Sequence, residues 1–225
     1  MSDTRLLIET SGRVGQVGLA VDGVIVVERR LDESRRHARD LAAVSAALLA
    51  EVGVAPRTVK GVIVGIGPGS FTGLRVGIMS AKAFAYATGC ELIAVPTFEA
   101  IANRAPIDVT VDVVADALKR TIYVQRFHVA KTKIKSINEL KIVSVEDWRA
   151  ALPADVWVTG PGTAIYDESI PKMQPRVAEP DRLPTIRSLF DVSRTKSPLD
   201  RAAMIALEPI YLRGSSAEEK AKLGT

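Results

Sequence analysis

Two carboxylates, Glu9 and Asp116, are the side chains best placed to do chemistry. Each follows an apolar, β-branched run, so both are expected at the end of the first strand of a lobe, facing one cleft. A carboxylate pair there can hold Mg²⁺ in a nucleotidyl or nuclease site. Both can equally bond to turn amides, and a nuclease would need more carboxylates than these two. Thr10 and Ser11 stand beside Glu9 and complete a set able to bind an anion.

The second candidate is the stretch Gly65-Ile66-Gly67-Pro68-Gly69-Ser70-Phe71-Thr72-Gly73, between an apolar run and a helical pattern. A dinucleotide fingerprint needs G-x-G-x-x-G, but its last position falls on Ser70 or Thr72. A P-loop needs lysine after the last glycine, and Leu74 stands there. What remains is a tight strand-to-helix turn whose free N–H groups can hold an anion, with Ser70 or Thr72 as the cap. Alternatively the glycines only supply unusual φ angles and close packing.

Other catalytic arrangements are missing from the sequence. His37 and His128 are too far apart for a His-x-x-x-His metal pair. No G-x-S-x-G elbow occurs. Cys90, the single cysteine, excludes an intrachain disulfide and reads as a small core residue at a strand start. No metal site and no cofactor of the chain's own are expected.

The 225 residues are 47% hydrophobic and 25% charged, which excludes a mostly disordered protein. The net charge of +4 permits an acidic or nucleic-acid partner without demanding one. Arg29, Arg30, Arg35, Arg36 and Arg39 gather at the entry to the first helix, as a solvated face or a phosphate-contacting patch. No apolar run approaches the ~20 residues of a membrane span. The N-terminus lacks an apolar signal region, so a cytoplasmic location and no membrane contact are expected.

The elements that must position these residues alternate. Runs 5–9, 16–21 and 24–28 read as strands, with Asp22-Gly23 as a hairpin turn. Asp32 or Ser34 caps a helix running to about Val52. A buried strand over 59–65, a helix over 72–88 closed by Gly89, a strand over 91–95 and a short helix capped by Thr97 follow. The pattern restarts with strands over 109–114, 122–129, 137–143 and 156–159 and a helix capped by Ser144. Helical stretches over 185–192 and 199–207 close it. This predicts a duplication with its boundary near Ala105-Pro106: a first lobe over 1–105, a reduced second lobe over 106–214, and a mobile tail over 215–225.

The helices over 38–52 and 72–88 have too little polar surface for two outer helices. Leu41, Val44, Leu48 and Val52 form one stripe of the first, and Ala42, Ala46 and Ala50 another. Gly73, Gly77, Ala81 and Ala85 form a small-residue row on the second. Either the two helices cover each other or another chain does. The expected partner surface is Leu41, Ala42, Ser45, Ala46 and Leu49, with Gly73, Arg75, Val76, Gly77, Ser80 and Phe84.

Three segments carry a family resemblance: Ile8-Glu9-Thr10-Ser11, the motif Gly67-Pro68-Gly69-Ser70-Phe71-Thr72-Gly73-Leu74-Arg75-Val76-Gly77, and Pro209-Ile210-Tyr211-Leu212-Arg213. Asp116-Ala117 with Tyr123, Val158-Thr159-Gly160 and Ala217-Glu218 fit more loosely. Together they resemble the TsaB (YeaZ) family, partner subunits in bacterial tRNA threonylcarbamoyladenosine biosynthesis. The resemblance implies an actin-like, Hsp70-type (RNase H-like) α/β fold of two βββαβαβα lobes with mixed sheets. It implies a non-catalytic subunit that binds TsaD through first-lobe helices and self-associates when alone. It further implies assembly with the ATPase TsaE, with tRNA as the substrate of the complex and any ATP, ADP or Mg²⁺ at the partner complex. The chain departs from the family at Glu9, usually Asp, and at Leu118, usually Arg; both departures count against nucleotide binding. From another class, an active actin-like phosphotransferase or ATPase would need Glu9, Thr10, Ser11 and Asp116 to hold Mg-ATP.

Overall fold

The computed structural model describes residues 2–31 and 37–212. The expected caps Asp32 and Ser34, the arginines at 35 and 36, the side chain of Arg39, Arg213 and the tail over 215–225 lie outside the described residues.

The chain opens with β1 (Thr4–Glu9), β2 (Gln16–Val21) and β3 (Val24–Arg30), antiparallel neighbours. Asp22 and Gly23 turn between β2 and β3 with φ of 49° and 84°, the left-handed pair that a two-residue hairpin requires. Then come α1 (His37–Glu51), β4 (Gly61–Gly65), α2 (Phe71–Thr88), β5 (Glu91–Val95) and α3 (Thr97–Ala102). The first sheet runs β3-β2-β1-β4-β5, with β1, β4 and β5 parallel. The Ser70 hydroxyl accepts from the Gly73 amide and starts α2; Gly89, with φ of 74°, ends it. Thr97 does not cap α3. It is the first residue of that helix, and its hydroxyl accepts from the Gly67 amide at 3.1 Å.

The second sheet is built from β6 (Val109–Asp116), β7 (Thr121–Val129), β8 (Ile134–Ser136), β9 (Lys141–Ser144) and β10 (Trp157–Thr159). Its order is β10-β6-β7-β8, and β9 also pairs with β7. Of the single strand expected over 137–143, only 141–143 is strand, as part of β9; 137–140 is a connection, and β8 precedes it. Asn138 causes the break: its side-chain oxygen accepts from the Arg126 amide at 2.8 Å, while Ser136 Oγ donates to its carbonyl at 2.6 Å. Helices α4 (Val145–Ala150) and α5 (Gly162–Ile165) complete this lobe.

The chain then returns to the first sheet. Helix α6 (Ile186–Ser193) lays Ile186, Leu189, Phe190 and Val192 against Leu7, Ala20, Ile63, Ile93 and Val95. Past it, Leu199, and Met204 of α7 (Arg201–Ala206), join the opposite core, where Leu6, Ile8, Val62 and Val64 meet α1 and α2. The sequence pattern puts these helices with the second lobe. They lie on the first because β1 and β4 are apolar on both faces, and α1 and α2 cover only one. Lys82, the one charge in the middle of α2, donates to the Ile205 and Leu207 carbonyls at 2.6 and 3.2 Å, holding the end of α7.

Candidate functional site

The glycine turn is a packing device before it is anything else. A Cβ added at Gly65 would stand 2.1 Å from Glu9 Oε2, at Gly69 2.5 Å from the Ser11 carbonyl oxygen, and at Gly73 2.1 Å from that of Thr10. At Gly77 it would meet Thr10 Oγ1 at 2.2 Å. Gly73 and Gly77 are thus pressed onto the end of β1, and the row they form with Ala81 and Ala85 is wholly buried. It lets α2 approach its own sheet, not a partner helix as the sequence row suggested.

That approach consumes the turn's donors. The Ser70 amide donates to the Ser11 carbonyl at 2.7 Å and the Gly67 amide to Thr97. Thr10 is fully buried and its hydroxyl, with no hydrogen-bond partner, sits beneath Gly77 rather than in the cleft. Ser70 and Thr72 are exposed, and Ser70 is engaged as the cap.

Between the lobes lies a cavity of about 300 Å³. Glu9, Ser11, Pro68, Phe98, Ala115 and Pro161 are among its walls, and Arg13 and Arg30 stand at it too. Glu9 is 1% exposed; its carboxyl accepts from the Ser11 amide at 2.6 Å and from the Thr97 hydroxyl at 3.5 Å. Burial pushes its pKa up, against the opposing effect of those bonds.

Asp116 does not share this cavity. Its Oδ1 accepts from the Tyr166 hydroxyl at 2.5 Å and the Leu118 amide at 2.9 Å. The latter bond braces a turn in which Leu118, Lys119 and Arg120 all have left-handed φ, 65°, 50° and 56°. Burial, then the bond to Asp116, pushes the Tyr166 hydroxyl up to about 12. So the two carboxylates expected to face one cleft are separated, and each is bonded to protein groups.

A nucleotide with Mg²⁺ is what an actin-like cleft implies. These residues do not fit it: Glu9 would have to ionise in a buried site, Asp116 is outside the cavity, and the turn amides of Gly67 and Ser70 are spent. Among the described residues no three His, Cys, Asp or Glu side chains gather to hold a metal ion.

The other candidate is the outer face of α1 and α2. Ala42, Ala43, Ala46, Ala47 and Ala50 are exposed on α1. Beside them α2 exposes Arg75, Met79, Ala83, Tyr86 and Ala87, with Tyr86 at 71% and Met79 at 60%. Of the expected partner residues, Ala42, Ala46 and Arg75 are exposed and Val76, Ser80 and Phe84 half-buried. Leu41, Ser45, Leu49, Gly73 and Gly77 are buried inside the lobe and support the face from beneath. Met79, Tyr86, Ala43 and Ala47 were missed; the sequence signal was there, as large apolar and uncharged residues out of phase with the sheet-facing stripe. At one end, the Arg75 guanidinium lies 4.3 Å over the Phe71 ring, which packs 4.9 Å from the Tyr211 ring.

A family model for tRNA N6-adenosine threonylcarbamoyltransferase, TsaD, matches residues 31–173. An uncharacterized protein of Mycobacterium tuberculosis is 35% identical over 126 residues, 55% of this chain and 59% of the relative. The match thus spans less than two thirds of that relative's length. The tRNA threonylcarbamoyladenosine biosynthesis protein TsaB of Bacillus subtilis is 26% identical over 147 residues, 64% of each chain. The solved structure of YeaZ from Pseudomonas aeruginosa superposes with a TM-score of 0.78 at 25% identity, over 93% of this chain and all of that one. The fold is thus the actin-like α/β fold with two mixed sheets, and among the described residues no helix is long and apolar enough to cross a membrane. On the family match, the relatives and the shared fold together, the chain belongs to the tRNA N6-adenosine threonylcarbamoyltransferase family, in its TsaB/YeaZ group.

Proposed function

We propose that the chain is a partner subunit, without catalysis of its own, in the attachment of a threonylcarbamoyl group to N6 of adenosine 37 in tRNA. It binds a TsaD-like catalytic subunit through the exposed face of α1 and α2, and pairs with a second copy through that face when alone. A TsaE-like ATPase joins the complex, and tRNA, any ATP or ADP and Mg²⁺ are handled there, in the cytoplasm. The observation that carries this reading is the outer face, apolar but for Arg75 at one end: five exposed alanines on α1 beside Met79 and Tyr86 on α2. Such a contiguous face is costly to leave in water, and small residues let a partner helix come close.

Ala46→Arg tests it. The side chain points outward, so the fold tolerates the change, but a bound partner would bury an unpaired charge, costing about 3–5 kcal/mol. Light scattering of the variant, alone and mixed with a TsaD-like protein, should show monomer and no complex, with an unchanged circular dichroism spectrum. Undiminished association would remove α1 and α2 as the contact.

A further inference from the structure

Positive charge is concentrated in one stretch of the second lobe. From Lys119 to Lys141 the sequence has seven lysines and arginines against one carboxylate, Glu139. This excess exceeds the net +4 of the whole chain, so the remainder is net negative. Arg120 is tied to Glu146, and Arg126 to Asp112 at 2.6 Å. Lys131, Lys133 and Lys135, on the β7–β8 hairpin, are exposed and have no carboxylate partner among the described residues.

The hairpin forms one wall of a groove of about 570 Å³. Lys131, Thr132 and Lys133 line it together with Asp191, Arg194, Lys196 and Glu99. Lys196 neutralises Glu99 at 2.6 Å, and the exposed Arg194 stacks over Phe190. The groove therefore keeps three cations, Lys131, Lys133 and Arg194, against Asp191 alone, and Lys135 extends the row. Lys131 stands in the turn of the hairpin, Lys133 at its exit and Lys135 on β8, so the three charges follow the tip and edge of one hairpin, where flexible stems let them meet successive phosphates.

We infer that this groove is a contact surface for the phosphate backbone of RNA. Its lining offers no exposed aromatic or large apolar anchor of the kind a protein partner's hot spot needs, and no ring on which a base could stack. It offers flexible point charges, which position a backbone without reading sequence. The choice of RNA among polyanions rests on the function proposed above. The groove borders α3 and α6, and α6 packs on the face of the first sheet opposite α1 and α2. Both surfaces can be occupied at once.

The test is fluorescence anisotropy of the full chain with an end-labelled, unmodified tRNA transcript, between about 50 and about 200 mM salt. Binding should weaken with a log–log slope of about −3, as for four phosphate contacts. Lys131→Glu with Lys133→Glu should lower affinity at least tenfold and flatten the slope by about 1.5, while Lys131→Arg with Lys133→Arg retains binding. Light scattering should show that the charge-reversed variant still self-associates like the parent. That separates this inference from the helix contact, which Ala46→Arg tests without touching the groove. No salt-dependent binding by the parent chain, undiminished affinity in the charge-reversed variant, or tighter binding of poly-glutamate than of tRNA at equal charge overturns the inference.

Discussion

In both lobes the first strand lies parallel to a later one, β1 to β4 and β6 to β10, and a glycine turn then leads into a helix laid against that first strand. The glycines are close in role. A Cβ at Gly160 would stand 2.3 Å from the Val114 carbonyl oxygen, as one at Gly73 would stand 2.1 Å from that of Thr10. Beyond the turn the lobes part. Helix α2 has 18 residues and α5 has four. β5 pairs over five residues, whereas in the second lobe a single parallel bridge, Val158 to Arg176, stands in that place. The strand-end carboxylates differ too: Glu9 is sealed in, and Asp116 is half-buried and bonded to Tyr166 and its own turn. The same plan has been elaborated in one lobe into a long helix with a spare outer face, and trimmed in the other to a single helical turn.

The sharpest way to break this comparison is at the glycines. Gly73→Ala forces a methyl into backbone, because the Thr10 carbonyl cannot move without shifting β1, and should cost about 3 kcal/mol in urea unfolding. Gly162→Ala meets its nearest atoms at 3.1 Å and should cost about 1 kcal/mol, since a few tenths of an ångström of movement relieves it. Equal losses would show that the first lobe's turn is no tighter than the second's.

The carboxylates come next. Glu9 has its folded pKa raised by burial, so its contribution to stability is present below the unfolded carboxyl value and is lost as pH rises through the folded one. Glu9→Gln keeps an acceptor for the Ser11 amide and removes the charge. It should be more stable than the parent by about 1 kcal/mol at pH 8, with the difference vanishing near pH 4. Unfolding curves at the two pH values decide it; a less stable variant at pH 8 would mean that the carboxylate is held ionised.

The smallest effect belongs to the second lobe. Tyr166→Phe removes one half-exposed bond to Asp116 and should cost about 0.5 kcal/mol. It should also delete a tyrosine that ionises near 12 from the ultraviolet titration. A loss as large as that at Gly73 would make Asp116 a structural pivot equal to the first lobe's strand end.

The sequence determined the alternation of strands and helices, because periodicity, the Asp22-Gly23 turn, and the caps Ser70, Gly89 and Ser144 are local signals that tertiary contacts did not override. It also determined the family, since the motif from Gly67 to Gly77 is long and contiguous. The tertiary structure alone decided which face of each apolar helix is spent on the sheet. Gly73 and Gly77 look like a partner row and are buried, whereas Met79 and Tyr86, outside the expected partner set, are exposed. A helix pattern gives the angle between stripes but not their direction, which depends on where β1 lies. The return of α6 and α7 to the first lobe, the separation of Glu9 from Asp116 and the basic groove were likewise invisible. Each joins residues far apart in the chain, and their meeting is fixed by the burial of both faces of one sheet, not by any local preference.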